Sequence, residues 1–179
     1  HYRKGVADSS KVLGYCYWRF SDYPASLKKS VEAIDVYKSI GDKKGEADTL
    51  NSIGAVYMFQ EDHEKRLECN QRCLQLRMEV GDIDGAMSSQ NNLGETYLEL
   101  GRFNDAINCF DDCIASSHSK PDVIAWANHN LGRLKHLSKD FKHAEFYYLE
   151  SLKVTININY NVLTGETYLR MCAMWLDQK

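Results

Sequence analysis

The sequence predicts an all-α protein, built as a stack of antiparallel helix pairs. Three observations predict it. Marker residues recur at a step of 40: Gly5, Gly45 and Gly85; Gly14, Gly54 and Gly94; Tyr17, Tyr57 and Tyr97. The apolar residues between them fall at helical spacing. Polar or glycine-containing joins, such as Ser21-Asp22, Glu61-Asp62, Gly101-Arg102 and Lys139-Asp140, break each copy where the chain must reverse. Self-similarity at a period of roughly 20–50 residues marks a repeat architecture.

Each copy reads as two helices. In the second copy the first helix runs from about Gly45 to Gln60, with Leu50, Ile53, Val56 and Tyr57 on one side. The second runs from about His63 to Val80 and carries Leu67, Leu74 and Met78. Gly41 and Gly81 suit a left-handed position that closes a helix. Asp42 and Asp82 can then accept N–H bonds at the start of the next one. Pro24 sits in the first turn of a helix, where a missing N–H costs nothing. The fourth copy arrives early, with Asn130-Leu131-Gly132 matching Asn92-Leu93-Gly94 at a step of 38. The expected division is 1–40, 41–80, 81–120 and 121–160 as four repeats. Residues 161–179 follow as the first helix of a partial or capping repeat, with Cys172 in the glycine place and Trp175 in the tyrosine place. Tyr17, Tyr57, Tyr97 and Trp175 are expected in the core. Val154–Ile158 alternates like a strand, but its place in the repeat assigns it to a helix end, and packing context outweighs local propensity.

Composition excludes several classes. The chain has 22 Lys+Arg and 25 Asp+Glu, for a net charge of −3, so it carries no basic field of the kind nucleic acid demands. No apolar run reaches the length of a membrane span. The 6 cysteines follow helical rather than loop spacing, which reads as reduced thiols of a cytoplasmic protein. The chain opens on His1 without a signal-peptide pattern and reads as a fragment of something longer.

The pattern Leu13-Gly14…Tyr17, Ile53-Gly54…Tyr57, Leu93-Gly94…Tyr97…Ala106…Phe110 and Leu131-Gly132…Ala144…Tyr148 resembles the tetratricopeptide repeat. The 40-residue step resembles its long-repeat branch, which includes sensor and interaction regions of intracellular signalling proteins. The resemblance implies a right-handed α-α superhelix (a solenoid) whose first helices line a concave groove. Departures are Ser26 and Arg66 where alanine is usual, and Lys135 in place of tyrosine.

Catalysis has no constellation to carry it: no phosphate loop, dinucleotide fingerprint or nucleophile elbow is present. Cys69/Cys73 and Cys109/Cys113 are i,i+4 pairs that could hold zinc or sense redox state. The pairs occupy identical repeat positions, Cys73 and Cys113 fall where the family buries a small residue, and core packing is the expected role. The chain is therefore read as a non-enzyme without metal or cofactor.

The groove implied by the resemblance is the candidate site. Asn51, Asn91, Asn92 and Asn130 form a ladder whose amides could pair with both groups of an extended peptide backbone, or could instead satisfy neighbouring helices. Trp18, Phe59 and Trp126 would anchor apolar side chains. Lys11, Glu95, Arg133 and His129 add mixed charge, and His129 and His136 could respond to pH near neutrality. The family's clamp for a chain-terminal carboxylate is not composed here, since only Lys11, Asn51 and Arg133 remotely match it. The expected function is binding a partner peptide or helix, in the regulatory or sensor region of a larger signalling protein. The alternative is a spacer or self-association scaffold, with Leu169, Met171, Met174 and Leu176 of the last helix open for a second copy.

Overall fold

In a computed structural model of the chain, residues 2–116 and 118–178 are described; His1, Ser117 and Lys179 lie outside the described residues. Among the described residues there are nine α-helices and no strand: α1 (Tyr2–Arg19), α2 (Tyr23–Ile40), α3 (Lys43–Phe59), α4 (His63–Glu79), α5 (Ile83–Glu99), α6 (Phe103–Ala115), α7 (Pro121–Leu137), α8 (Phe141–Asn157) and α9 (Asn161–Asp177). The expected all-α repeat solenoid is the fold observed, and the β-branched segment runs as the last turn of α8 through Asn157, with Ile158 as its C-cap. The chain divides into two compact units, residues 1–89 and 90–179, with the division falling inside α5.

One turn geometry is used again and again. Ser21, Gly41, Glu61, Gly81 and Gly101 follow one another at steps of 20 and all have φ between 57° and 71°. Lys139 and Asn159 repeat the geometry with φ of 60° and 56°. The next N–H reaches back across the turn: Asp42 to the Tyr37 carbonyl at 3.0 Å, Asp62 to Tyr57 at 3.0 Å, Arg102 to Tyr97 at 2.8 Å. That bond and the left-handed residue satisfy carbonyls a helix end would otherwise orphan. The aspartate after the turn caps the next helix. Asp22, Asp42, Asp62 and Asp82 accept from the N–H groups of Ala25, Gly45, Lys65 and Gly85 at 2.9 to 3.2 Å. The register slips between α6 and α7, where α6 stops at 13 residues, Ser116 turns extended and Pro121 opens α7.

Packing in each unit follows the small-residue rule. In the first, Ala7, Ala33 and Tyr37 cluster, and Ala47, Cys73 and Leu76 form a second nucleus. Ser26, in place of alanine, is buried and donates its hydroxyl to the Gly14 carbonyl at 2.8 Å, so the departure costs no orphaned group. In the second unit, Ala144, Tyr148, Leu152, Met171 and Met174 close the core between α8 and α9. A Cβ on Gly132 would stand 2.6 Å from the Tyr148 ring, so only glycine lets α7 and α8 approach this closely.

Two expectations about the core are corrected. Tyr17 is exposed, and Tyr57 and Tyr97 are half-buried. The latter two rings lie under cations: Lys65 is 5.4 Å from the Tyr57 ring and Arg102 4.4 Å from that of Tyr97. A ring at the helix end can be roofed by a long cationic stem instead of by core residues. Trp175 is exposed, because among the described residues no helix follows α9 to cover it.

Candidate functional site

The first unit carries a partly exposed aromatic surface. Tyr15 and Trp18 on α1, Tyr23 opening α2, and Phe59 closing α3 lie in one chain of ring contacts. The centroids are 5.5 Å apart for Tyr15–Trp18, 5.8 Å for Trp18–Phe59 and 6.3 Å for the stacked Tyr23–Phe59 pair. Phe59 keeps 54% of its surface in solvent. A recess of about 190 Å³ lies on one side of Trp18, lined with Tyr15, Ser26, Asn51, Ser52 and Ala55. Another, of about 220 Å³, is formed with Arg19, Ser21, Tyr23 and Phe59. Three sequence-predicted residues, Trp18, Phe59 and Asn51, thus meet at one place. Tyr23 was missed because it starts a second helix rather than lining a first one; the Tyr-Pro pair after a capping aspartate is the signal that places it there.

Charge beside this surface is internally matched. Asp48 stands 4.0 Å from the Lys11 ammonium and 3.3 Å from the Arg77 guanidinium, joining α1, α3 and α4. The Tyr37 hydroxyl donates to Asp8 at 2.6 Å; burial first, and then that carboxylate, raise its pKa. Lys11 therefore serves the scaffold as well as the surface.

In the second unit the predicted residues divide. Trp126, Asn92, Glu95 and Arg133 are half-buried, whereas Asn91, His129 and Asn130 are buried. The ladder is corrected there: α7 packs against α6, α8 and α9, so Asn130 and His129 face neighbouring helices, and Asn91 is buried on α5. Asn130 Oδ1 accepts from Arg133 at 3.1 Å, and Arg133 also pairs with Glu99 at 2.8 Å.

His129 is likewise not a pH sensor near neutrality. Its Nδ1 lies 2.8 Å from the Thr167 hydroxyl oxygen. Thr167 spends its own proton on the Leu163 carbonyl at 2.8 Å, so Nδ1–H of His129 is the donor and Nε2 keeps its lone pair. Burial, followed by the charges of Arg133 and Arg170, pushes the ring down to about 3. It is neutral, and the 3.7 Å approach of Glu166 is no ion pair.

The paired cysteines serve packing. Cys73, Cys109 and Cys113 are buried. The Cys73 thiol donates to the Ala47 carbonyl at 3.2 Å. Burial pushes the Cys69 thiol up to about 11 and the Cys109 and Cys113 thiols up to about 12, so all three stay protonated at neutral pH.

Residues 45–119 and 86–157 match the family model for the tetratricopeptide repeat, and together these segments span more than half of the chain. The chain belongs to the tetratricopeptide repeat family. Among solved structures it is similar to BtubC (BKLC) from P. vanneervenii, with a TM-score of 0.73 and 16% identity over 86% of this chain; it spans 64% of that one. It is also similar to the N-terminal domain of stress-induced protein-1 (STI-1) from C. elegans, with a TM-score of 0.60 and 14% identity over 71% of this chain and 95% of that one. At these identities the likeness is one of fold. Among curated proteins none matches the sequence. Tetratricopeptide repeats form protein-interaction modules, and this chain is built of them. Among the described residues no helix is long and apolar enough to cross a membrane.

Proposed function

We propose that this tetratricopeptide array is a non-catalytic module that seats a segment of a partner protein on the aromatic surface of its first unit. The chain of contacts Tyr15–Trp18–Phe59–Tyr23, half open to solvent and recessed on both sides of Trp18, carries this reading. Aromatic side chains with exposed apolar area supply much of the energy of protein interfaces. Asn51 and Ser52 add polar side chains to the recess beside Trp18. The setting proposed for the module is the regulatory or sensor region of a larger cytoplasmic signalling protein. The same reading takes 1–40, 41–80, 81–120 and 121–160 as four repeats and 161–179 as the start of a fifth.

The test is capture from the native lysate by the wild-type chain and by Trp18→Ala/Phe59→Ala, with circular dichroism showing that both fold. Partners held by the wild type and lost by the folded variant support the reading. Partners held equally by both reject it.

A second reading, self-association, is favoured by one observation. On α9, Val162, Leu169 and Leu176 stand at intervals of seven and are 73%, 72% and 68% exposed. Met171 and Met174 do not belong to that surface, since both are buried against α8. A mass that rises with concentration in light scattering, and no longer does so in Leu169→Lys, supports this second reading.

A further inference from the structure

The second unit contains a cleft of about 470 Å³ where the end of α7, the start of α8 and the end of α9 come together. The aromatic surface does not involve it. Its rim is cationic. Arg133, Lys139 and Arg170 line it together with the His136 ring, against the carboxylate of Asp177. Two of these groups already have partners: Arg133 pairs with Glu99 at 2.8 Å, and the His136 ring lies 2.9 Å from Asp177. Arg170 and Lys139 have no ion-pair partner among the described residues. Leu137 and Phe141 supply an apolar wall.

The floor holds the decisive group. Tyr148 is fully buried, yet it lines the cleft and its hydroxyl has no hydrogen-bond partner among the described residues. A buried hydroxyl left unmade costs free energy, and native proteins seldom leave one so. Burial pushes this phenol up to about 12, while the charges of Arg170 and Arg133 reach it and pull the other way. It is thus a protonated donor in a positive potential.

We propose that this cleft binds a small organic acid, its carboxylate taken by Arg170 and the Tyr148 hydroxyl and its hydrocarbon body laid on Phe141 and Leu137. Arg133, on the same rim, already pairs with the carboxylate of Glu99. A planar carboxylate fits the guanidinium fork, and the Tyr148 proton completes its second oxygen. The volume suits a small-molecule ligand. The apolar wall selects an organic acid over a bare inorganic anion. The site stands on residues of α7, α8 and α9 alone and does not depend on the partner-seating surface of the first unit.

The test is a titration of the chain, followed by amide chemical shifts, with benzoate, its neutral isostere benzamide, and inorganic phosphate. Benzoate is expected to saturate with shifts confined to α7, α8 and α9, and benzamide to bind at least about tenfold more weakly. Arg170→Gln, at an exposed position, should weaken benzoate about tenfold. Tyr148→Phe should weaken it severalfold while melting no lower than the wild type, which separates loss of the donor from loss of the fold. Benzoate that fails to saturate overturns the proposal. So does equal affinity in the wild type and both variants, or phosphate binding as tightly as benzoate.

Discussion

His129 donates its Nδ1 proton to the Thr167 hydroxyl across 2.8 Å, tying α7 to α9 by a hydrogen bond in which both side chains are wholly buried. Removing the acceptor leaves a buried donor orphaned. Thr167→Val is therefore expected to cost about 1–3 kcal/mol, read as a lower denaturant midpoint at unchanged slope.

The same ring sets a pH dependence. Its folded pKa is about 3 against an ordinary value of 6.5, so below 6.5 the unfolded chain binds the proton that the folded chain refuses. This contribution is complete above 6.5 and is lost progressively as the pH falls toward 3. Stability measured by denaturant between those limits should fall, and His129→Gln should flatten the fall.

Tyr148→Phe removes a hydroxyl that is buried without a partner among the described residues while leaving the ring in place. The ligand-free protein is expected to gain on the order of 1 kcal/mol, seen as a higher melting temperature.

The glycines separate crowding from conformation. At Gly132 an added Cβ meets the Tyr148 ring, so Gly132→Ala should cost about 1–3 kcal/mol. At Gly165, inside α9, it meets nothing within 4 Å, so Gly165→Ala should gain about 0.5–1 kcal/mol. Thermal unfolding of the two variants should move in opposite directions.

The turns offer a similar pair. Glu61 holds φ of 57°, a conformation that penalises a side chain, and Glu61→Gly should stabilise by about 1 kcal/mol. Gly41 occupies the same geometry in open space, so Gly41→Ala should destabilise by about 1 kcal/mol without any clash. Chemical denaturation reads both.

Thiol reactivity checks the burial of the cysteines. Native alkylation followed by mass spectrometry should label the exposed Cys16 and Cys172 first. Cys109 and Cys113, whose pKa values are raised to about 12, should react only on unfolding.

The helices, their turns and their caps were legible in the sequence because each rests on local chemistry. Gly41-Asp42 and Gly81-Asp82 announced a left-handed closure followed by a cap, and both are found. Repeat position put Trp18, Asn51 and Phe59 on the same side of neighbouring first helices, and in the structure Trp18 lies 5.8 Å from the Phe59 ring and shares a recess with Asn51. The fate of Asn91, Asn130 and His129 was not legible. A repeat position says which side of its own helix a residue takes; it does not say how far the next helix covers that side. α9 covers His129 through Thr167, a partner 38 positions away that repeat spacing alone does not reveal.

Arg170 and Tyr148 make the same point for the cleft. One reads as a surface arginine and the other as a core aromatic, and neither suggests a site. The sequence by itself determined the all-α repeat architecture and its family, because periodicity, small residues at contacts and capping aspartates act over a few residues of chain. Only the tertiary structure decided which side chains are sealed, which cations among the described residues remain unpaired and where a buried tyrosine meets a cleft. Burial and charge pairing are properties of what several helices bring together, and no single segment carries them.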